Sequence, residues 1–176
     1  MNNTFLKYLL WLVFFVILQT LIFSRLPLGT YVYPMVYILF ILMLPIAYPH
    51  GSLLLWAFLL GLCIDIFTNG ILGVHAAATV AVAYIRPSIL KLVTSKEDKE
   101  NNMQFITKYT MRSRFFITYI ALAISLHHSI YFLIDTFSFL NIIHTFLLIF
   151  FSSGLSITFV FVMSTLMASP RRTASF

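Results

Sequence analysis

The residue with the clearest chemical potential is Asp65, a carboxylate near the end of an apolar stretch that runs from Leu53 to Thr68. A charged side chain in such a stretch is costly, by about 2.5–3.5 kcal/mol at the centre of a membrane-spanning helix. Asp65 therefore either serves a ligand or a proton, or accepts hydrogen bonds from the backbone. The free amides that begin the next helix, around Gly70 to Val74, are suitable donors. We favour this structural role over a ligand or proton site.

Histidines and serines offer further candidates for chemistry. Four histidines lie in or beside apolar stretches: His75, His127, His128 and His144. Their spacing matches no known metal motif, so packing and hydrogen bonding are the favoured roles and neither a metal nor a cofactor is predicted. Ser152-Ser153-Gly154 lacks the pattern of an intramembrane serine nucleophile, and no second carboxylate is spaced to pair with Asp65. The chain is therefore not predicted to be an enzyme.

The elements that must position these residues follow from an extreme composition. Of the 176 residues, 61 % are hydrophobic and 9 % are charged, against about 45–50 % and 25 % in soluble domains. A fold of this size cannot hide that much apolar surface from water. We therefore predict an all-α integral membrane protein surrounded by lipid. The net charge of +6 would suggest nucleic acid in a soluble protein, but membrane topology explains it better, and no nucleic-acid partner is predicted.

Six apolar segments are expected to cross the membrane as helices packed in one bundle, forming a single domain over residues 1–176. A spanning helix needs about 20 mostly apolar residues. The approximate spans are 8–23, 31–48, 53–68, 71–85, 115–134 and 140–167. Arg86-Pro87 is expected to end the fourth span, because the residue before a proline disfavours helix. Residues 86–114 would then form a long polar loop.

The basic residues indicate how the six spans are oriented. Lys7, the 86–114 loop and the Arg171-Arg172 pair fall on one side, and Arg25 alone falls on the other. Positive residues are enriched in cytoplasmic loops. Both termini and the 86–114 loop are therefore predicted to be cytoplasmic.

Small residues predict where the helices pack closely. Gly61 lies four residues before Asp65 on the same helical face, where a missing side chain lets a neighbouring helix approach. Gly73, Ala77 and Ala81 continue such a stripe along the fourth span at intervals of four residues. This stripe is expected to face protein, and the fourth span is expected to be the most buried helix of the bundle.

Two short motifs give a family resemblance. Gly61-Leu62-Cys63-Ile64-Asp65, followed by Gly70-Ile71-Leu72-Gly73, resembles the signature of the MreD family of rod shape-determining membrane proteins. In that family a GLxxD stretch ends one span and an LG pair opens the next. Tyr33-Pro34, Pro49-His50-Gly51, the chain length and the six expected spans are also similar to that family's layout.

The resemblance implies a non-enzymatic subunit of the bacterial elongation machinery in the inner membrane, controlling rod cell shape and lateral peptidoglycan synthesis. Its implied partner is an MreC-like bitopic protein, with links to MreB, to RodA and to the transpeptidase partner of RodA. The family is also similar in architecture to the substrate-binding subunits of energy-coupling-factor transporters. No catalytic residue carries over from the family.

Two functions from different classes therefore stay open. The first is a scaffold that binds other membrane proteins. The second is a small-molecule, vitamin-like binding subunit of a transporter, which would need polar side chains from several spans to converge on one cavity. The candidates for such a cavity are Asp65, His75, Asn141 and His144. We favour the scaffold, because no chemical motif accompanies the small-residue faces.

Overall fold

In the part of the chain that it describes, the computed structural model contains helices and irregular segments and no strands. The described residues are 2–26, 28–29, 31–68, 71–94, 106–107, 113–136 and 142–167. The elements are α1 (Asn2–Leu21), a 3-10 helix (Phe23–Arg25), α2 (Leu39–Leu42), α3 (His50–Thr68), α4 (Val74–Val93), α5 (Ser113–Thr136) and α6 (Ile142–Met167).

Five of these helices are long and apolar enough to cross a membrane. They are the stretch Thr4–Arg25, which includes α1, and the helices α3, α4, α5 and α6, with mean hydropathies between 1.4 and 2.3. The expected multi-pass helical character is confirmed to that extent. The long helices begin and end within a few residues of the expected spans, except at the end of the fourth.

Contacts between helices define two ends of the bundle. The helices α3 to α6 pack against their chain neighbours and alternate in direction, whereas α1 and α3 begin at the same end, where the rings of Tyr8 and Trp56 are 6.4 Å apart. We call this the basic end, because three of the four exposed cations among the described residues, Lys7, Lys91 and Arg114, lie there, whereas Arg25 lies at the other end. The opposite end, where α3 passes into α4, is the Asp65 end.

The segment 31–48 differs from the expectation of a second spanning helix. Its first part is not helical, and α2 occupies only four residues. The segment still runs the length of the bundle, from the Tyr31 ring beside His144 to the Tyr48 ring beside Tyr8. Residues 34–42 are buried without exception. Irregular backbone in an apolar interior needs surrounding protein groups to satisfy it, and the burial of this segment provides that surrounding.

The expected end of the fourth span at Arg86-Pro87 is wrong. Helix α4 continues through Pro87 to Val93, and Arg86 is 2 % exposed inside the bundle instead of lying in the loop. A proline in a helix loses one backbone hydrogen bond. Here the loss is outweighed by the contacts that Arg86 makes in the core, which are described below. The loop between α4 and α5 therefore has one cation fewer than predicted.

The small-residue stripe on α4 is also placed differently from the expectation. Ala77 is exposed and Ala81 is half-buried, whereas Ala76 and Ala83 are buried. The buried face is the one that carries the polar residues His75 and Arg86, which a search for small residues passes over. The expectation that the fourth span is more buried than the other spans is confirmed for the long helices. Half of the residues in the most apolar part of α4 are buried, against at most 39 % in the other long helices.

Candidate functional site

The Asp65 carboxylate binds the first turn of α4. Its Oδ2 accepts hydrogen bonds from the amides of Gly73 at 2.9 Å and Ala76 at 3.2 Å, and its Oδ1 accepts one from His75 at 2.9 Å. The carboxylate is 1 % exposed. A negative charge against the free amides at a helix N-terminus is favourable. The geometry is therefore that of the structural role, in which Asp65 joins α3 to α4.

Two glycines make this joint possible for different reasons. A Cβ on Gly61 would lie 2.6 Å from the nitrogen of Ala76 and 2.7 Å from the carbonyl oxygen of His75. Gly61 therefore permits the close approach of α4 that was expected of it. Gly73 has open space around its Cα but a φ of +96°, so its role is conformational. Gly70 lies outside the described residues.

A buried tyrosine hydroxyl lies between two histidine rings next to this joint. The Tyr37 hydroxyl is 2.7 Å from Nδ1 of His75 and 2.9 Å from Nε2 of His127. Because the hydroxyl has one proton, it donates to one ring and accepts an N–H from the other. His75 also stacks on Tyr131, with ring centroids 4.4 Å apart. The group connects segment 31–48 to both α4 and α5.

The third buried histidine belongs to a separate chain of hydrogen bonds. Nδ1 of His128 lies 2.9 Å from the carbonyl oxygen of Ile124, so Nδ1 carries the proton and donates it. In the neutral ring Nε2 is then an acceptor, and the Ser156 hydroxyl donates to it at 3.1 Å. Ser156 in turn accepts the amide of Met35 at 2.9 Å. His128 thus orients a serine that binds the extended segment.

Two other polar side chains satisfy the same extended backbone. The Gln19 amide donates to the carbonyl of Pro34 at 2.9 Å and accepts from the amide of Val36 at 2.8 Å. The Ser152 hydroxyl accepts the amide of Tyr33 at 2.9 Å. Side chains of α1 and α6 therefore replace the internal hydrogen bonds that a helix would have provided.

Arg86 binds the other end of segment 31–48. Its guanidinium donates to the carbonyl oxygens of Leu42, Leu44 and Pro45, at 3.4 Å for the first and the last. Its Nε donates to the Tyr119 hydroxyl at 3.0 Å, and that hydroxyl donates to Leu42 at 3.2 Å. The planar guanidinium has several N–H donors in a fixed arrangement, so it can bind the carbonyl groups that lack helical partners where α2 ends.

The polar residues that might have formed a cavity are distributed differently. Asp65 and His75 are adjacent, but their polar groups bind the backbone and Tyr37. His144 is half-buried against the Tyr31 ring, and Asn141 lies outside the described residues. Among the described side chains, no group of three or more His, Cys, Asp or Glu is placed to hold a metal ion.

Three residues of this interior, Gln19, Tyr37 and Arg86, are not among the functional candidates that the sequence predicts. Each is polar within or beside an apolar stretch, which is the signal that drew attention to Asp65. The apolar pattern nevertheless predicts Gln19 and Tyr37 as ordinary members of their spans, and Pro87 predicts a loop at Arg86.

What this arrangement does is hold together helices and a non-helical segment. Within the described part of the chain, His127 Nδ1, Ser153 Oγ and Thr165 Oγ1 are the buried side-chain atoms without a hydrogen-bond partner. The other polar groups of the interior bind each other or the backbone.

No protein-family model, curated protein or solved structure matches this chain.

Proposed function

We propose that this protein is a non-enzymatic membrane scaffold of the MreD type, acting with an MreC-like bitopic partner in the bacterial elongation machinery. In this role it controls rod cell shape and lateral peptidoglycan synthesis, and MreB, RodA and the transpeptidase partner of RodA are further partners. The observation that carries the proposal is the joint between α3 and α4. Gly61, Asp65 and Gly73, which belong to the motifs that resemble the family, all act in that one joint.

The polar interior supports a scaffold over a solute-binding subunit. A solute site needs polar groups that converge on a cavity and are free to bind the solute. The Asp65 carboxylate already accepts three amides, and Nδ1 of His75 is occupied by Tyr37. These groups therefore stabilise one rigid arrangement, which is what a surface for protein partners requires.

The proposed topology has six passes through the bacterial inner membrane. Five are the long helices, and the sixth is segment 31–48, whose extended backbone is satisfied by Gln19, Ser152 and Ser156. Of the four exposed cations among the described residues, Lys7, Lys91 and Arg114 share the basic end, and Arg25 lies at the Asp65 end. By the enrichment of positive residues in the cytoplasm, that end and both termini are cytoplasmic.

The experiment that tests the scaffold combines affinity purification with depletion in the bacterium that encodes the chain. The tagged protein is purified from detergent-solubilised membranes, and co-purifying proteins are identified by mass spectrometry. We expect an MreC-like bitopic protein in stoichiometric amounts. Depletion of the chain should round the cells and abolish incorporation of labelled peptidoglycan along the side wall.

Two outcomes would overturn the proposal. The first is rod shape that survives depletion while uptake of a vitamin-like solute is lost, which would favour the transporter subunit. The second is purification without any bitopic partner although the tagged chain restores the depleted cells. A reporter fused after Phe176 tests the orientation separately, because it should be active in the cytoplasm.

A further inference from the structure

A short groove between α1 and α6 lies near the basic end of the bundle. It has a volume of about 470 Å³. The residues that line it are all apolar: Leu10, Trp11, Phe14, Met163, Leu166 and Met167. Toward the Asp65 end, the 3-10 helix that follows α1 meets α6, where the ring centroids of Phe23 and Phe159 are 5.1 Å apart. The groove is therefore confined to one end of this pair of helices.

A cation lies beside the groove, on the side of the basic end. Lys7 precedes Leu10, Trp11 and Phe14 by three, four and seven residues, which places it on the same face of α1. It is exposed and lies one turn beyond the groove, toward the start of the helix. An apolar groove with a positive charge next to it is complementary to a molecule with an apolar chain and an anionic head.

We propose that this groove binds one acyl chain of an anionic phospholipid, with the lipid phosphate paired to Lys7. The lining residues cover about one turn of each helix, roughly 6 Å of length. A spanning partner helix, about 30 Å long, would leave most of its length without contact there. A single flexible chain fits a short groove, and the methionine side chains of Met163 and Met167 adapt readily to one.

The two tryptophans of the chain provide a direct test. Trp11 lines the groove, whereas Trp56 is 5 % exposed and packs against Phe40 inside the bundle. The Trp56→Phe protein is placed in vesicles that contain brominated phosphatidylglycerol or brominated phosphatidylcholine. We expect phosphatidylglycerol to quench Trp11 at about fivefold lower mole fraction, the ratio that one charge near a membrane surface gives. The Trp11→Phe protein should show no such difference.

Two lysine variants separate a specific site from general attraction. Lys7→Gln should remove the preference for phosphatidylglycerol, whereas Lys91→Gln should keep it, since Lys91 is exposed at the same end but lies on α4. Equal quenching by the two lipids, or an equal loss in both lysine variants, would overturn the proposal.

A measurement on the protein with both tryptophans intact guards against misfolding of the tryptophan variants. Mass spectrometry of the detergent-purified protein should find one retained anionic phospholipid in the wild type and in Lys91→Gln, and none in Lys7→Gln. A wild type that retains none would equally contradict the site.

Discussion

Asp65 and Arg86 are opposite charges buried in one bundle, and each is bound by backbone groups instead of by the other. Asp65 accepts amides at the start of α4, and Arg86, from the middle of α4, donates to carbonyls at the end of α2 and just beyond it. Each charge therefore lies where the backbone offers groups of the opposite polarity. Helix α4 is connected in this way to α3 on one side and to segment 31–48 on the other.

The first prediction concerns the charge of Asp65. Asp65→Asn keeps the size of the side chain but turns part of it into a donor that faces amide donors, so we expect the free energy of unfolding to fall by about 2–3 kcal/mol. Thermal unfolding in detergent measures the loss of stability. The amount of protein in the membrane and the recovery of the MreC-like partner are measured beside it and should both decrease. Asp135→Asn is the matched control, because Asp135 is exposed at the same end. Equal effects of the two substitutions would contradict the assigned role.

The second prediction concerns the close approach at Gly61. Gly61→Ala places a methyl group against the backbone of Ala76, so α3 and α4 must separate, at a cost of about 1–3 kcal/mol. Gly154 is the control, because it lies in α6 with open space beside it. Gly154→Ala should be neutral or stabilising by up to about 1 kcal/mol, as expected for alanine in a helix. A Gly61→Ala protein as stable as wild type would show that the contact is looser than described.

The joint between α3 and α4 could be predicted from the sequence because it is local. Asp65 and its amide donors lie within eleven residues of each other, and a buried carboxylate just before a helix start has few other partners. The long helices were predictable for a related reason, since about 20 apolar residues in lipid satisfy their backbone most simply as a helix.

Segment 31–48 could not be predicted in the same way. Its composition equally suits a spanning helix, and the groups that make the extended form stable are far away along the chain. Ser156, for example, is 121 residues from Met35, whose amide it accepts. Residues that act through such distant contacts, including Tyr37 and Arg86, have no local pattern that reveals their role.

The third prediction tests the hydroxyl between the histidines. Tyr37→Phe keeps the buried ring but leaves nitrogens of His75 and His127 without a partner, which should cost about 1–3 kcal/mol of unfolding free energy. Tyr84→Phe is the control, because Tyr84 is exposed on α4. Unfolding midpoints in detergent compare the two. An unchanged midpoint in Tyr37→Phe would mean that other groups or water satisfy both rings.

The fourth prediction tests the guanidinium of Arg86. Arg86→Met fills similar space but leaves the carbonyl of Leu44 without its donor, while it removes the cost of burying a charge. The net loss should be about 1–3 kcal/mol. Lys91→Met, an exposed cation on the same helix, should be close to neutral. Protease cleavage within residues 42–48 should also increase in Arg86→Met and not in Lys91→Met, because only Arg86 binds the carbonyls of this segment. If Arg86→Met is less stable but is not cleaved within 42–48, then Arg86 does not hold this segment in place.

The fifth prediction tests whether side chains of α6 stabilise the extended segment. Ser156→Ala removes the acceptor of the Met35 amide and the donor to His128, two bonds in a buried position. Hydrogen bonds of this kind in membrane proteins contribute up to about 1.7 kcal/mol, so a loss of about 1–2 kcal/mol is expected. The Ser129 hydroxyl binds only the carbonyl of Ser125 in its own helix among the described groups, so Ser129→Ala should cost a few tenths. The rate of hydrogen exchange at the Met35 amide should rise in Ser156→Ala and stay unchanged in Ser129→Ala. If this amide stays protected from exchange in both variants, packing alone holds the segment.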